Sequence, residues 1–262
     1  MRRFKPHCHL AALFIVLSAL VACSGTPTYN PTTFPYQIEQ AKLDEKPIKT
    51  VVIAHVDLGT QSRNYLEKEA PRIDGRVASY LKENGFKVLP QREFEQHWNV
   101  AERAYGNPVD PTTGKLNRKT FALIMHQVLD EMQESTNLDA FIFTDLVEFE
   151  VAFSGGLKHV ARWDGVSRTP TMQGPGDGVS TEFDWNMLAA VASLQVTIYN
   201  MDLEAVFSGR GGLDATDAID SRSSKGRYIR RRNILENDSN VDEGIRLAFY
   251  PFIPTDDWPG NP

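Results

Sequence analysis

The chain has 262 residues, 41% of them hydrophobic and 24% charged, with a formal charge of −6. That is the composition of a globular protein able to bury a sizeable core, as one decorated domain or as one medium and one small domain. The acidic balance excludes general nucleic-acid binding, which relies on neutralising phosphates with Lys and Arg.

The first segment reads as an address rather than as part of a fold. Met1 to Lys5 carries Arg2, Arg3 and Lys5 and no acid, and Leu10 to Ala22 is almost wholly apolar. A basic start, a short apolar run and small residues before a cleavage point make a secretory signal over residues 1–22. The run has 13 residues, fewer than the roughly 20 that cross a bilayer as a helix. Leu20-Val21-Ala22-Cys23, followed by Ser24, resembles the lipobox of bacterial lipoproteins. The resemblance implies diacylglycerol on the Cys23 sulfur, usually with a third chain on the new amine. Ser24, where an Asp would retain the protein at the inner membrane, implies the periplasmic face of the outer membrane. Removing residues 1–22 takes away three basic and no acidic side chains, so the charge moves from −6 to −9. It also removes Cys8, which leaves no cysteine for a disulfide, a nucleophile or a zinc site.

Residues 23–49 hold Pro27, Pro31, Pro35 and Pro47 and read as a lipidated Pro/Thr-rich linker. Thr50 to Val56 is an apolar, β-branched run, hence a buried strand. Ile73, Val77, Tyr80 and Leu81 recur at helical spacing, with Gly85 where a helix-ending glycine belongs. Phe86 to Leu89 is a second strand, and strand–helix–strand implies a parallel pair with a crossover. Residues 91–98 form a short helix burying Phe94 and Trp98, and 99–117 form a loop. Residues 118–136 are the clearest helix, with Phe121, Ile124, Met125, Val128, Leu129 and Met132 in one stripe. A long strand starts at Ala140 and turns amphipathic at Val147. Residues 157–163 alternate in turn and make a hairpin with it. The Gly- and Pro-rich segment 164–186 is a long loop. Residues 193–200 and 205–209 form a second hairpin around Met201 to Glu204. Residues 214–238 are polar and partly helical. Asn240 opens a last helix, and 251–262 form an extended tail. The predicted fold class is therefore α/β: a mixed sheet with a parallel crossover core and antiparallel hairpins, helices packed on the sheet, spanning residues 50–250.

Few residues offer chemistry. His55 and Asp57 end the first strand, where open α/β sheets place ligands, so these two mark a candidate cleft. Glu148 and Glu150 share one strand face, whereas glycosidase carboxylates oppose each other across a cleft. Gly209-Arg210-Gly211-Gly212 lacks the Lys-Ser/Thr ending of a phosphate loop and reads as a glycine-rich bend. No catalytic, metal or cofactor site is predicted. Arg222, Lys225, Arg227, Arg230, Arg231 and Arg232 form a basic cluster in an otherwise acidic chain. It is either a contact patch for an anionic partner or a solvated face neutralised by Asp214, Asp217, Asp220 and Glu236.

The element order, with "DAFIFTDLVEFEV" and "SLQVTIYNMDLEAVFSG" as its longest phrases, resembles periplasmic assembly lipoproteins. These include the curli-secretion lipoprotein, the penicillin-binding-protein activator lipoproteins and the N-terminal domain of the Tol-Pal propeller protein. The resemblance implies a non-enzymatic envelope protein held to the membrane through Cys23. It acts on an envelope protein partner, with self-association open to it. The alternative is a periplasmic hydrolase or ligand-binding lipoprotein using the strand ends near His55 and Asp57.

Overall fold

The computed structural model describes residues 35–54, 56, 64–176, 178–223 and 225–255; Cys23, His55 and Asp57 lie outside the described residues. The chain enters through β1 (Tyr36–Ile38) and α1 (Gln40–Glu45) and reaches β2 (Thr50–Ala54). The predicted linker is therefore folded from Tyr36 onward. Ile38, Leu43 and Ile48 supply the reason, because they pack against the core.

β2 is followed by α2 (Asn64–Glu67), α3 (Ala70–Glu83), β3 (Lys87–Leu89), α4 (Gln91–Tyr105), α5 (Arg118–Ser135) and β4 (Ala140–Ala152). β2 runs parallel to both β3 and β4, which is the predicted crossover core. It is Thr-Val-Val-Ile-Ala because helices cover both its faces, and such strands read as continuous apolar runs. α3 ends as predicted: the Gly85 N–H donates to the Lys82 carbonyl and the Phe86 N–H to that of Leu81, a Schellman closure. α4 continues through Tyr105, past the predicted stop at 98, because Ala101 extends its buried stripe of Phe94 and Trp98. α5 matches its predicted span, with Asn117 accepting from the Lys119 and Thr120 N–H groups.

The second half of the chain adds β5 (Ala161–Trp163), β6 (Val166–Arg168), β7 (Met172–Gln173), β8 (Leu188–Asn200), β9 (Ala205–Ala215), β10 (Asp217–Asp220), β11 (Tyr228–Arg230) and α6 (Asp238–Phe249). The main sheet is mixed, in the order β1-β9-β8-β4-β2-β3. One face packs α3 and α6 on Val51, Ile53, Ile142, Leu194 and Val196. The other packs α4 and α5 on Val52, Ala54 and Phe141.

Several expectations change here. β4 pairs along its whole length with β8, from Ala140↔Asn200 to Ala152↔Leu188, and not with residues 157–163. β8 matches all thirteen residues of β4, which the shorter 157–163 segment could not do. That segment instead turns through a single bridge between Gly155 and Val160 and then pairs β5 with β6. Two short strands thus lie inside the predicted 164–186 loop. The β8–β9 hairpin forms as predicted around the same turn, and both strands are longer at the open end. The partly helical stretch at 214–238 is strand and turn instead, with β10 between β7 and β11. Its consecutive Ala218 and Ile219 are both buried, as strand residues with two covered faces are. α6 starts two residues before the predicted Asn240, capped by Asn237. The predicted tail is folded at its start, where Ile253 is buried and the Phe252 ring lies 5.6 Å from that of Phe86 and 5.5 Å from that of Phe207.

Gly209 to Gly212 form no bend. They lie inside β9, where α6 crosses so closely that a Cβ on Gly211 would stand 2.0 Å from the Gly244 carbonyl oxygen. Gly75, exposed within α3, has nothing within 4 Å of where its Cβ would be. Gly75→Ala is expected to stabilise the protein by about 0.5–1 kcal/mol, read as a raised urea midpoint at unchanged slope.

A charged cluster at the end of the sheet as candidate functional site

β2 stops at Ala54, opposite Phe143 of β4. β4 runs on alone on that side. Its even-numbered residues keep facing α3 and α6, first with Ala140, Ile142 and Leu146 in the core, then with Glu148. This acid sits at an inward-facing register position, where a charge requires partners. It has three. The Tyr65 hydroxyl of α2 donates to Glu148 Oε1. The Thr216 hydroxyl donates to the same oxygen at 3.0 Å and Arg230 Nη1 at 2.6 Å. The guanidinium of Arg230 also lies over the Tyr65 ring, 4.2 Å from its centroid, a cation–π contact. Asp217 stands 3.5 Å from Arg230 and accepts the Ala190 N–H at 3.0 Å.

The electrostatics follow from these contacts. Burial pushes the Glu148 carboxyl up, but the hydrogen bonds from Tyr65, Arg230 and Thr216 outweigh it and hold the group below the usual carboxylate range. Burial, and then the bond to Glu148, pushes the Tyr65 phenol well above its ordinary value. Burial beside Asp217 pushes Tyr228 up to about 12. An ionised carboxylate held by three donors on Oε1 and a phenol held protonated are poor proton-transfer groups near neutral pH. The cluster works as a clamp that fastens the β10–β11 hairpin to the sheet.

The clamp has a testable pH dependence. A carboxyl whose folded pKa lies below its unfolded value, about 4.3 for Glu, contributes stability that is present above the unfolded pKa. That contribution is lost as pH falls through the folded pKa. Glu148→Gln is therefore expected to cost about 2 kcal/mol at neutral pH and to flatten the acid limb of stability against pH. Urea unfolding across pH 3–7 checks both. An acid limb as steep as in the parent protein would remove Glu148 as its source.

The same hairpin carries the predicted basic cluster, and four of its six side chains turn to their own acids. Arg222 and Arg227 reach Asp220 at 2.8 and 3.4 Å. Arg230 takes Glu148, and Arg231 takes Asp214 at 2.9 Å together with the Ala215 carbonyl. Asp214, Asp217 and Asp220 are the acids named from sequence; Glu236 accepts from Asn233 instead. Lys225 and Arg232 are exposed and make no ion pair among the described residues. Beside Arg231 a cavity of about 460 Å³ opens among Arg162, Arg168, Thr171 and Asp214.

The other singled-out residues are dispersed. Glu150 is exposed two residues beyond Glu148. His97 pairs with Glu131 at 2.6 Å, His126 lies exposed on α5, and His159 stacks on Trp185 with ring centroids 3.4 Å apart. Among the described residues no three His, Cys, Asp or Glu side chains come together as a metal site. None of the described helices is long and apolar enough to cross a membrane. Sequence reasoning missed Tyr65, which lay in a stretch read only as polar. It also missed the clamp role of Glu148, although an acid in the same register as Ile142 and Leu146 was a visible signal.

The fold is thus an α/β domain with a six-stranded mixed sheet between helices, extended at one end by β4, β8 and the small strands. No protein-family model, curated protein or solved structure matches the chain.

Proposed function

We propose that this is a lipoprotein, anchored through Cys23 to the periplasmic face of the outer membrane. It acts without catalysis, by protein contacts that scaffold or regulate an envelope assembly. The observation that carries the reading is the Leu20-Val21-Ala22-Cys23 lipobox at the end of a short apolar run that follows Arg2, Arg3 and Lys5. Tethering raises the local concentration of the domain at a surface, where weak protein contacts gain occupancy. The resemblance of its sequence phrases to periplasmic assembly lipoproteins points the same way.

Crosslinking in intact cells, followed by identification of the captured species, tests it. An envelope protein is the expected capture. Capture of nothing but lipid and a second copy of the chain would overturn the scaffold reading.

One observation favours a second reading, a hydrolase or ligand-binding protein. The Tyr65, Glu148 and Arg230 cluster lies beyond the C-terminal end of β2, and His55 and Asp57 follow that strand in sequence. The two readings part at a double alanine substitution of His55 and Asp57. A scaffold keeps its cellular phenotype, whereas a hydrolase loses it.

A further inference from the structure

The direction of β1 decides which end of the domain its tether leaves from. Tyr36 pairs with Gly209, Gly209 with Val196, and Val196 with Thr144. β1 runs antiparallel to β9, β9 to β8, and β8 to β4. The chain before Tyr36 therefore departs toward the end where β4 finishes. β4 overshoots that level by the eight residues from Thr144 to Ala152, roughly 27 Å along the strands. The thirteen steps from Cys23 to Tyr36 reach at most roughly 47 Å. With the strands upright, the fully stretched tether leaves the end of β4 no more than roughly 20 Å from the anchor.

That end carries the two most exposed large hydrophobic side chains among the described residues. The turn after β4 presents Leu157 at 101% exposure, with Lys158 beside it, and Leu188 at the start of β8 is 56% exposed. The turn is braced. The Gly155 and Val160 backbones exchange hydrogen bonds of 3.1 and 2.9 Å, and the His159 ring stacks on Trp185. Next to it, Thr216 donates to the Ala190 carbonyl and β10 leads on from β9 into the turn holding Arg222, Lys225 and Arg227. With Lys158 these make four cations, set against Asp220 and the exposed Glu182 and Asp184, which flank Phe183 where it packs on Gly226 and Tyr228, so one positive charge is left over. An exposed leucine flanked by cations suits the boundary between acyl chains and anionic headgroups.

We propose that this end of the domain docks on the membrane that holds its lipid. Leu157 enters the headgroup boundary, and the β10–β11 turn faces anionic phospholipid. The inference rests on the anchored reading above. It adds that the bilayer is the anionic partner of the basic turn and that the domain is oriented rather than free on its tether.

The test uses the mature lipoprotein in vesicles of phosphatidylethanolamine and phosphatidylglycerol carrying headgroup nitroxide lipids. A fluorescent label goes on Ser154→Cys, an exposed position in the same turn that leaves Leu157 in place. A control label goes on Asp202→Cys, in the β8–β9 turn at the opposite end. Flotation with the vesicles reports the anchor and quenching reports docking. Quenching at 154 and not at 202 is expected, together with its loss on Leu157→Asp, on Lys225→Glu or in phosphatidylcholine vesicles. Flotation without quenching at 154, or with equal quenching at both sites, overturns docking and leaves the anchor standing. Quenching at 154 that ignores both charge changes overturns the anionic-lipid assignment. A label quenched only after an envelope protein fraction is added assigns this end to a protein and overturns the lipid contact. Failure to float overturns the anchored reading and the docking with it.

Discussion

Cys23→Ala is expected to release the protein from the membrane entirely while leaving its fold and stability unchanged. Cys23 lies outside the described residues, twelve positions before Pro35, the first of them. The attachment it would carry is large. Each buried methylene contributes about 0.8 kcal/mol, a single acyl chain holds only marginally, and two or more hold stably. Fractionation of cells should move the variant from the membrane to the soluble envelope fraction, with the urea midpoint of the folded domain unmoved. The functional consequence separates two roles for the lipid. If tethering raises the local concentration of weak contacts, the exported, folded, unlipidated variant loses function. Full function in that variant would make the lipid an address only.

Gly211→Ala is expected to be the most damaging single methyl group in the described fold. The added Cβ would meet the Gly244 carbonyl oxygen at 2.0 Å, the Ala248 nitrogen at 2.7 Å and the Leu247 Cβ at 2.8 Å. Two of these are backbone atoms of α6, so no side chain can swing aside, and the helix itself must lift from β9. Overpacking of this kind costs about 3 kcal/mol, at the upper end of its usual range. α6 also carries Val241, Ile245 and Phe249 into the core and Leu247 into the small core at the far end. A lifted α6 thus loosens both. Urea denaturation should show a lowered midpoint, and the contrast with Gly75→Ala is the control. The same substitution in a helix with open space should stabilise, so opposite signs for one chemical change would isolate the crossing as the cause. A neutral Gly211→Ala would mean that α6 does not cross β9 this closely.

Much of this architecture is visible in the residues because it is local. The β-branched run of β2, the stripe of Ile124, Met125, Val128 and Leu129 on α5, and Gly85 after α3 each act within a few residues. So do Asn200 and the residues around it, which turn β8 into β9: its side-chain oxygen accepts the Asp202 and Glu204 N–H groups at 3.0 and 2.9 Å. Helix periodicity, turn chemistry and hairpins all operate at that range. The charge and apolar pattern of the N-terminal segment is likewise written in consecutive residues, and the lipobox resemblance needs no fold to be read.

Strand partners and charge partners are another matter, since they join residues far apart in the chain. Period-2 alternation in 157–163 and in β8 is the same signal, and only the thirteen-residue match with β4 selects β8. The basic cluster looks uniform from Arg222 to Arg232, yet Arg230 crosses 82 positions to Glu148 while Lys225 is left outward. Which cations remain for a partner depends on where the β10–β11 hairpin lands, and that placement is set by Glu148 of β4, Tyr65 of α2 and Thr216 between β9 and β10. By itself the sequence determined the α/β class and most of the element types, because local backbone and patterning preferences suffice for them, and the pattern behind the proposed tether is equally local. Only the tertiary structure decided the strand and turn of 214–238, which end the chain before Tyr36 leaves from and which charges face out, because these depend on the nonlocal register of β1, β9, β8 and β4.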